Sequence, residues 1–168
     1  MNYFITLLLV VILSGIVFYD LRYMKIPVYL LVPLIVVAGI RLLMDNPGRL
    51  AFSMFAINML AIVMVLLLSC ILLFILKGRL FNPVNVLIGS GDLLFLPVLC
   101  LSFSPVNFMA FFIGSSLLIV IIRLFYRFSG KFIPLAGLQA AFLVMALIFS
   151  ELASVSSFND QPILNLIL

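Results

Sequence analysis

Of the five acidic residues in the chain, two stand where a carboxylate can do chemistry: Asp20 and Asp92. Asp20 closes one long apolar run, and Asp92 ends the stretch Ile88-Gly89-Ser90-Gly91-Asp92 just before another. An ionisable residue at membrane depth is costly and marks a functional position by default. Two carboxylates that meet can share one proton, because like charges about 3 Å apart do not both ionise. The ionised member then takes a proton from water while the protonated member hydrogen-bonds the carbonyl under attack, which is aspartic peptidase chemistry. Such a pair requires no metal, cofactor or histidine. The chain has no histidine, which excludes His-based general bases, serine–histidine triads and the helical zinc-protease motif. Cys70 and Cys100 lie in apolar runs, cannot alone furnish a four-ligand zinc site, and read as small buried hydrophobes.

Each aspartate also has a plainer reading. Asp20 is followed by Arg22 and Lys25 and is then an interfacial charge paired with one of them. Asp92 is then a helix N-cap, favoured by the positive end of the helix dipole, with Gly89 and Gly91 giving a sharp turn and room for another backbone. Asp45, Glu151 and Asp160 read as solvated surface charges.

The elements that must position the two aspartates are membrane helices. The 168 residues are 67% hydrophobic and 8% charged, whereas a soluble domain is about 45–50% apolar and about 25% charged. The runs lack strand alternation, so the fold class is all-α: a polytopic membrane protein of about six transmembrane helices rather than a barrel. The expected spans are 3–19, 26–44, 50–76, 106–126 and 132–150, with the fourth either 93–103 or 83–101. Pro27 falls in the first turn of the second span and Pro33 inside it, where it introduces a kink. The first run lacks the basic start and cleavage site of a signal peptide and is retained as a helix. Residues 1–168 read as one integral-membrane domain, ending in a tail too short to span.

With six crossings, one set of loops holds Arg22, Lys25, Lys77, Arg79, Arg123, Arg127 and Lys131, and the other only Arg41 and Arg49. The positive-inside rule places the first set in the cytoplasm and both termini outside. Asp20 and Asp92 are then on the cytoplasmic side, with Tyr19, Tyr23, Tyr29 and Tyr126 at the inner boundary. The net charge of +4 is a topology signal, with membrane lipid as its partner and no nucleic acid implied. The cytoplasmic cations read first as charges held by the inner leaflet and its anionic lipid; a second reading has Arg22 and Lys25 favour the ionised form of Asp20, and the 77–91 loop is expected to admit a substrate helix. Gly114, Ser115 and Ser116 are expected to let helices pack closely, and Asn58 to donate a hydrogen bond between helices.

Asp20-Leu21-Arg22-x-x-Lys25-Ile26-Pro27 closing a first helix, with Gly89-Ser90-Gly91-Asp92 opening a fourth, resembles the type IV prepilin leader peptidases. Ile133-Pro134-Leu135-Ala136 at the start of the last helix looks like the Ile-Pro motif of that family. Gly-x-Gly-Asp alone is shared with presenilin-type intramembrane proteases, and Asp-x-Arg…Ile-Pro with six helices favours the prepilin peptidases. The resemblance implies that Asp20 and Asp92 are catalytic, with Arg22, Lys25, Pro27, Gly89, Gly91 and Pro134 supporting them. It implies a prepilin or pseudopilin substrate cut at the cytoplasmic face of the inner membrane, with no cofactor or metal. Larger members add a cysteine-rich methyltransferase portion. This chain shows no such portion and is similar to the compact members serving Flp-type pili or archaeal preflagellins. It departs from the family in having Val28 after Ile-Pro instead of Asn, and Leu94 two residues after the second Asp instead of Lys. Two other readings remain: a transporter or channel subunit using Asp20 and Asp92 as proton or ion sites, and a catalytically silent relative of the peptidases. The sequence carries no signal for an oligomeric state.

Overall fold

Six helices follow the apolar segments: α1 (Tyr3–Tyr23), α2 (Val28–Asp45), α3 (Gly48–Lys77), α4 (Ser90–Ser102), α5 (Pro105–Phe125) and α6 (Leu135–Leu152). The computed structural model describes residues 3–77, 89–125, 135–152 and 158, and no strand occurs among them. Pro134, the 78–88 part of the long loop, Arg79, Arg127, Lys131 and Asp160 lie outside the described residues.

Five of the helices are long and apolar enough to cross a membrane. The exception is α4, whose 13 residues reach about 20 Å against a hydrocarbon core of about 30 Å. Among the described residues the expected segments are thus five full-length helices and one short one, α4, close to the shorter of the two limits expected for the fourth. The short helix is the interior element. Phe95, Val98, Leu99 and Cys100 of α4 are wholly buried, among α2, α3 and α6. Around it, α1 packs chiefly on α6 and also on α2, while α3 reaches α4 and α5. The outward faces, such as Leu7, Val11 and Phe18 of α1, are exposed and apolar, as a lipid-facing surface requires.

Local chemistry sets the ends. The chain turns from α1 into α2 at Met24, which adopts a left-handed φ of 52° while its N–H donates to the Asp20 carbonyl at 2.8 Å. Pro27 is the N-cap residue of α2 rather than a member of its first turn, and its carbonyl accepts from Leu30. Pro33 lies inside α2, and Pro97 inside α4. α5 opens with Ser104 ahead of Pro105, whose missing N–H costs nothing at a first helical position.

The other end of α4 is buried within the protein, with Ser102, Phe103 and Ser104 all enclosed. Asn58 of α3 supplies the donor: its Nδ2 lies 3.0 Å from the Cys100 carbonyl and 2.9 Å from that of Phe103. The interhelical role expected for Asn58 is the one it has. Asn58→Leu removes this donor from both carbonyls and should cost about 1–3 kcal/mol. Thermal unfolding in detergent, followed by maleimide labelling of the buried Cys100, should show a lowered midpoint; an unchanged midpoint would count against this capping role.

Candidate active site

On α1 the buried positions are Thr6, Leu9, Leu13, Ile16 and Asp20, spaced by three or four residues. Asp20 therefore continues the apolar stripe that faces α6 and is only 4% exposed. Its place is inside the helix, since α1 runs on to Tyr23 instead of stopping near residue 19. Arg22, two positions on, points elsewhere, because residues at i and i+2 do not share a helix face. Its guanidinium lies 5.7 Å from the Phe18 ring and 5.5 Å from the Tyr23 ring. Among the described residues the sole salt bridge joins Arg41 and Asp45, so neither Arg22 nor Lys25 pairs with Asp20.

Asp92 differs from its expected position in another way. Gly89 is the N-cap residue of α4, and Asp92 is the third residue of the helix. From there its carboxylate reaches back to the Gly89 backbone N–H, as an acidic third residue in a capping box does. A Cβ on Gly89 would stand 3.1 Å from Asp92 Oδ2, and one on Gly91 would stand 3.3 Å from the Ile26 side chain. Both glycines are thus positions of close approach, one to Asp92 itself and one to the link between α1 and α2.

The two carboxylates meet at the start of α6. The Gly137 N–H donates to Asp20 Oδ2 at 2.6 Å, and the neighbouring Ala136 N–H donates to Asp92 Oδ1 at 2.9 Å. The first four N–H groups of a helix have no partner within it, and here two are taken by carboxylates from two other helices. The positive end of the α6 dipole suits the single negative charge that a proton-sharing pair carries. The aspartates are near enough to interact electrostatically. Asp20 is enclosed and Asp92 is half-buried.

α5 begins three residues after α4 ends and is long enough to cross by itself. Asp92 lies level with the first turn of α6, on whose Ala136 N–H it is seated, and Asp20 lies within the last turn of α1.

Gly137 and Ala136 were absent from the site as read from sequence, although Ala136 belongs to the Ile-Pro motif. A Cβ on Gly137 would lie 2.8 Å from Asp20 Oδ2 and 2.9 Å from Asp20 Cβ. Their signal was available: Ala136, Gly137 and Ala140 form a small-residue edge on the buried face of α6. Gly114, expected to serve close packing, has nothing within 4 Å of its notional Cβ. Gln139, buried in α6, is a second polar side chain inside a span besides Asn58. Of the family departures, Val28 and Leu94 are both exposed. Among the described residues no group of three metal-ligating side chains occurs. Comparison of the chain with protein-family models, with curated proteins and with solved structures gives no match.

Proposed function

We propose that the chain is an aspartic endopeptidase of the membrane interior, which removes the short leader of a type IV prepilin or a related protein. The observation that carries this reading is the pair of carboxylates, 72 positions apart in sequence, seated on consecutive amides of one helix start. In the proposed reaction the ionised aspartate accepts a proton from water as the oxygen adds to the scissile carbonyl. The protonated aspartate hydrogen-bonds that carbonyl and supplies the proton that leaves with the amine as the C–N bond breaks. No metal or cofactor takes part.

The substrate follows from the position of the pair at one end of the helix bundle. A peptide bond inside a packed helix is inaccessible, so the junction between a flexible leader and a membrane helix is what this site is suited to cut. The excess of Lys and Arg in the loops on the aspartate side supports a cytoplasmic orientation. The test is co-expression with a prepilin, reading the mass of its N-terminus in membranes that carry the wild-type chain, Asp20→Asn or Asp92→Asn. Cleavage by the wild type alone supports the reading and gives the cut site. Cleavage that persists in either variant sinks the dyad, and a wild type that cuts no prepilin moves the transporter and silent-relative readings ahead.

A further inference from the structure

Gln139 is buried in α6, only 1% exposed, and its side-chain amide has no hydrogen-bond partner among the described residues. That amide carries one carbonyl acceptor and two N–H donors, and leaving them unpaired inside a protein is costly. A buried polar group kept in this state calls for a reason. The wholly enclosed side-chain nitrogens and oxygens that lack a partner belong to Arg41, Asn58 and Glu151. Gln139 lacks a partner without being one of these, so the trace of surface it retains is at its amide.

Helical spacing sets that amide beside the carboxylates. Gly137 is the position of α6 turned to Asp20, since a Cβ there would lie 2.8 Å from Asp20 Oδ2. Ala136, one residue earlier, gives its N–H to Asp92 Oδ1. At about 100° per residue, Gln139 lies about 60° round the helix from Ala136 and about 160° from Gly137, on the side away from α1. Besides α1, α6 packs on α4, which carries Asp92, and on α5. Residues three apart on a helix are neighbours, and a long side chain leans back over the preceding turn. Gln139 therefore lies over Ala136 and the turn on which Asp92 is seated.

We propose that Gln139 binds the main chain of the peptide substrate next to the bond that is cut. Its carbonyl accepts from a substrate N–H and its N–H2 donates to a substrate carbonyl, so that the peptide is held in register against Asp92. An extended peptide offers one donor and one acceptor per residue, which is the complement of a free amide. Such contacts are the same for every residue type, so Gln139 contributes affinity and register rather than sequence preference. The inference rests on the peptidase reading and adds to it the residue that orients the substrate for the two aspartates.

Gln139→Met, which keeps the length of the side chain and removes the amide, tests this with two readouts. The first is thermal unfolding in detergent, in a Cys70→Ser background where the buried Cys100 is the single thiol that reports opening. The second is the kinetics of prepilin cleavage. The midpoint should hold or rise, because an unpaired buried amide gives way to an apolar chain. In the same variant kcat/KM should fall about 10-fold or more, carried by KM, because the lost bonds are made to bound substrate. A clearly lowered midpoint, or a variant that does not accumulate as folded protein, would show that the amide holds the bundle together and would overturn the proposal. A loss confined to kcat at unchanged KM overturns it as well, since Gln139 would then act on the aspartates. Equal cleavage by wild type and variant overturns it and leaves the peptidase reading intact, whereas a wild type that cuts no prepilin removes both.

Discussion

Asp20→Asn and Asp92→Asn should each lower leader cleavage by about 10²–10⁴-fold while leaving the bundle folded. The asymmetry comes from what each atom does. Asparagine is nearly the same size as aspartate and keeps a carbonyl oxygen, so it can still accept the 2.6 Å bond from Gly137 or the 2.9 Å bond from Ala136. What it loses is the ability to take and return a proton. Unfolding midpoints of both variants should therefore lie close to the wild type. The double variant should cleave no worse than the weaker single, because groups that act as one unit are not additive. Two losses that multiplied would mean that the carboxylates act separately rather than as a pair. A large fall in midpoint with either variant would mean that the charge serves mainly to hold α1 or α4 against α6.

Much of this arrangement is legible in the sequence because membrane burial leaves long apolar runs. Five helices come out near their expected limits, and the two aspartates fall at one end of the bundle simply by alternation. The errors arise where a residue's environment is set by another segment. Asp20 looks tied to Arg22 and Lys25 in a linear reading, but the extra helical turn to Tyr23 directs the aspartate to α6 and the arginine to Phe18. Asp92 looks like an N-cap, but the helix starts two residues earlier and its carboxylate is drawn to Ala136, 44 positions away. Glu151 looks solvated until Thr6, 145 positions earlier, is brought against it. Hydropathy reports the thickness a segment must cross, not which neighbour it meets. That is why the length of α4 stayed open between two alternatives, and why the small-residue edge of α6 did not by itself name Asp20 as the partner of Gly137.

Gly137→Ala should be the most damaging single methyl group in the described part of the protein. The added carbon would lie 2.8 Å from Asp20 Oδ2, 2.9 Å from Asp20 Cβ and 3.3 Å from Asp20 Cγ. Turning the Asp20 side chain relieves only part of this, because its Cβ is fixed by the α1 backbone. The helices must therefore separate, and the Gly137 N–H must draw back from the carboxylate it holds. A displacement of about 1 Å in a reacting group is enough to cost about 10²-fold in rate. Gly91→Ala makes a useful comparison: its nearest neighbours are the Cδ1 and Cγ1 atoms of Ile26 at 3.3 Å, the movable end of a side chain. Its loss should be several-fold smaller, and Gly114→Ala, which meets nothing within 4 Å, should behave as the wild type. The order of the three in a cleavage assay separates local geometry from general instability. If Gly137→Ala cleaves as well as Gly114→Ala, the α6 start is not what holds Asp20 in place. If it loses activity while its unfolding midpoint stays within reach of that of Gly91→Ala, the loss comes from the placement of one carboxylate.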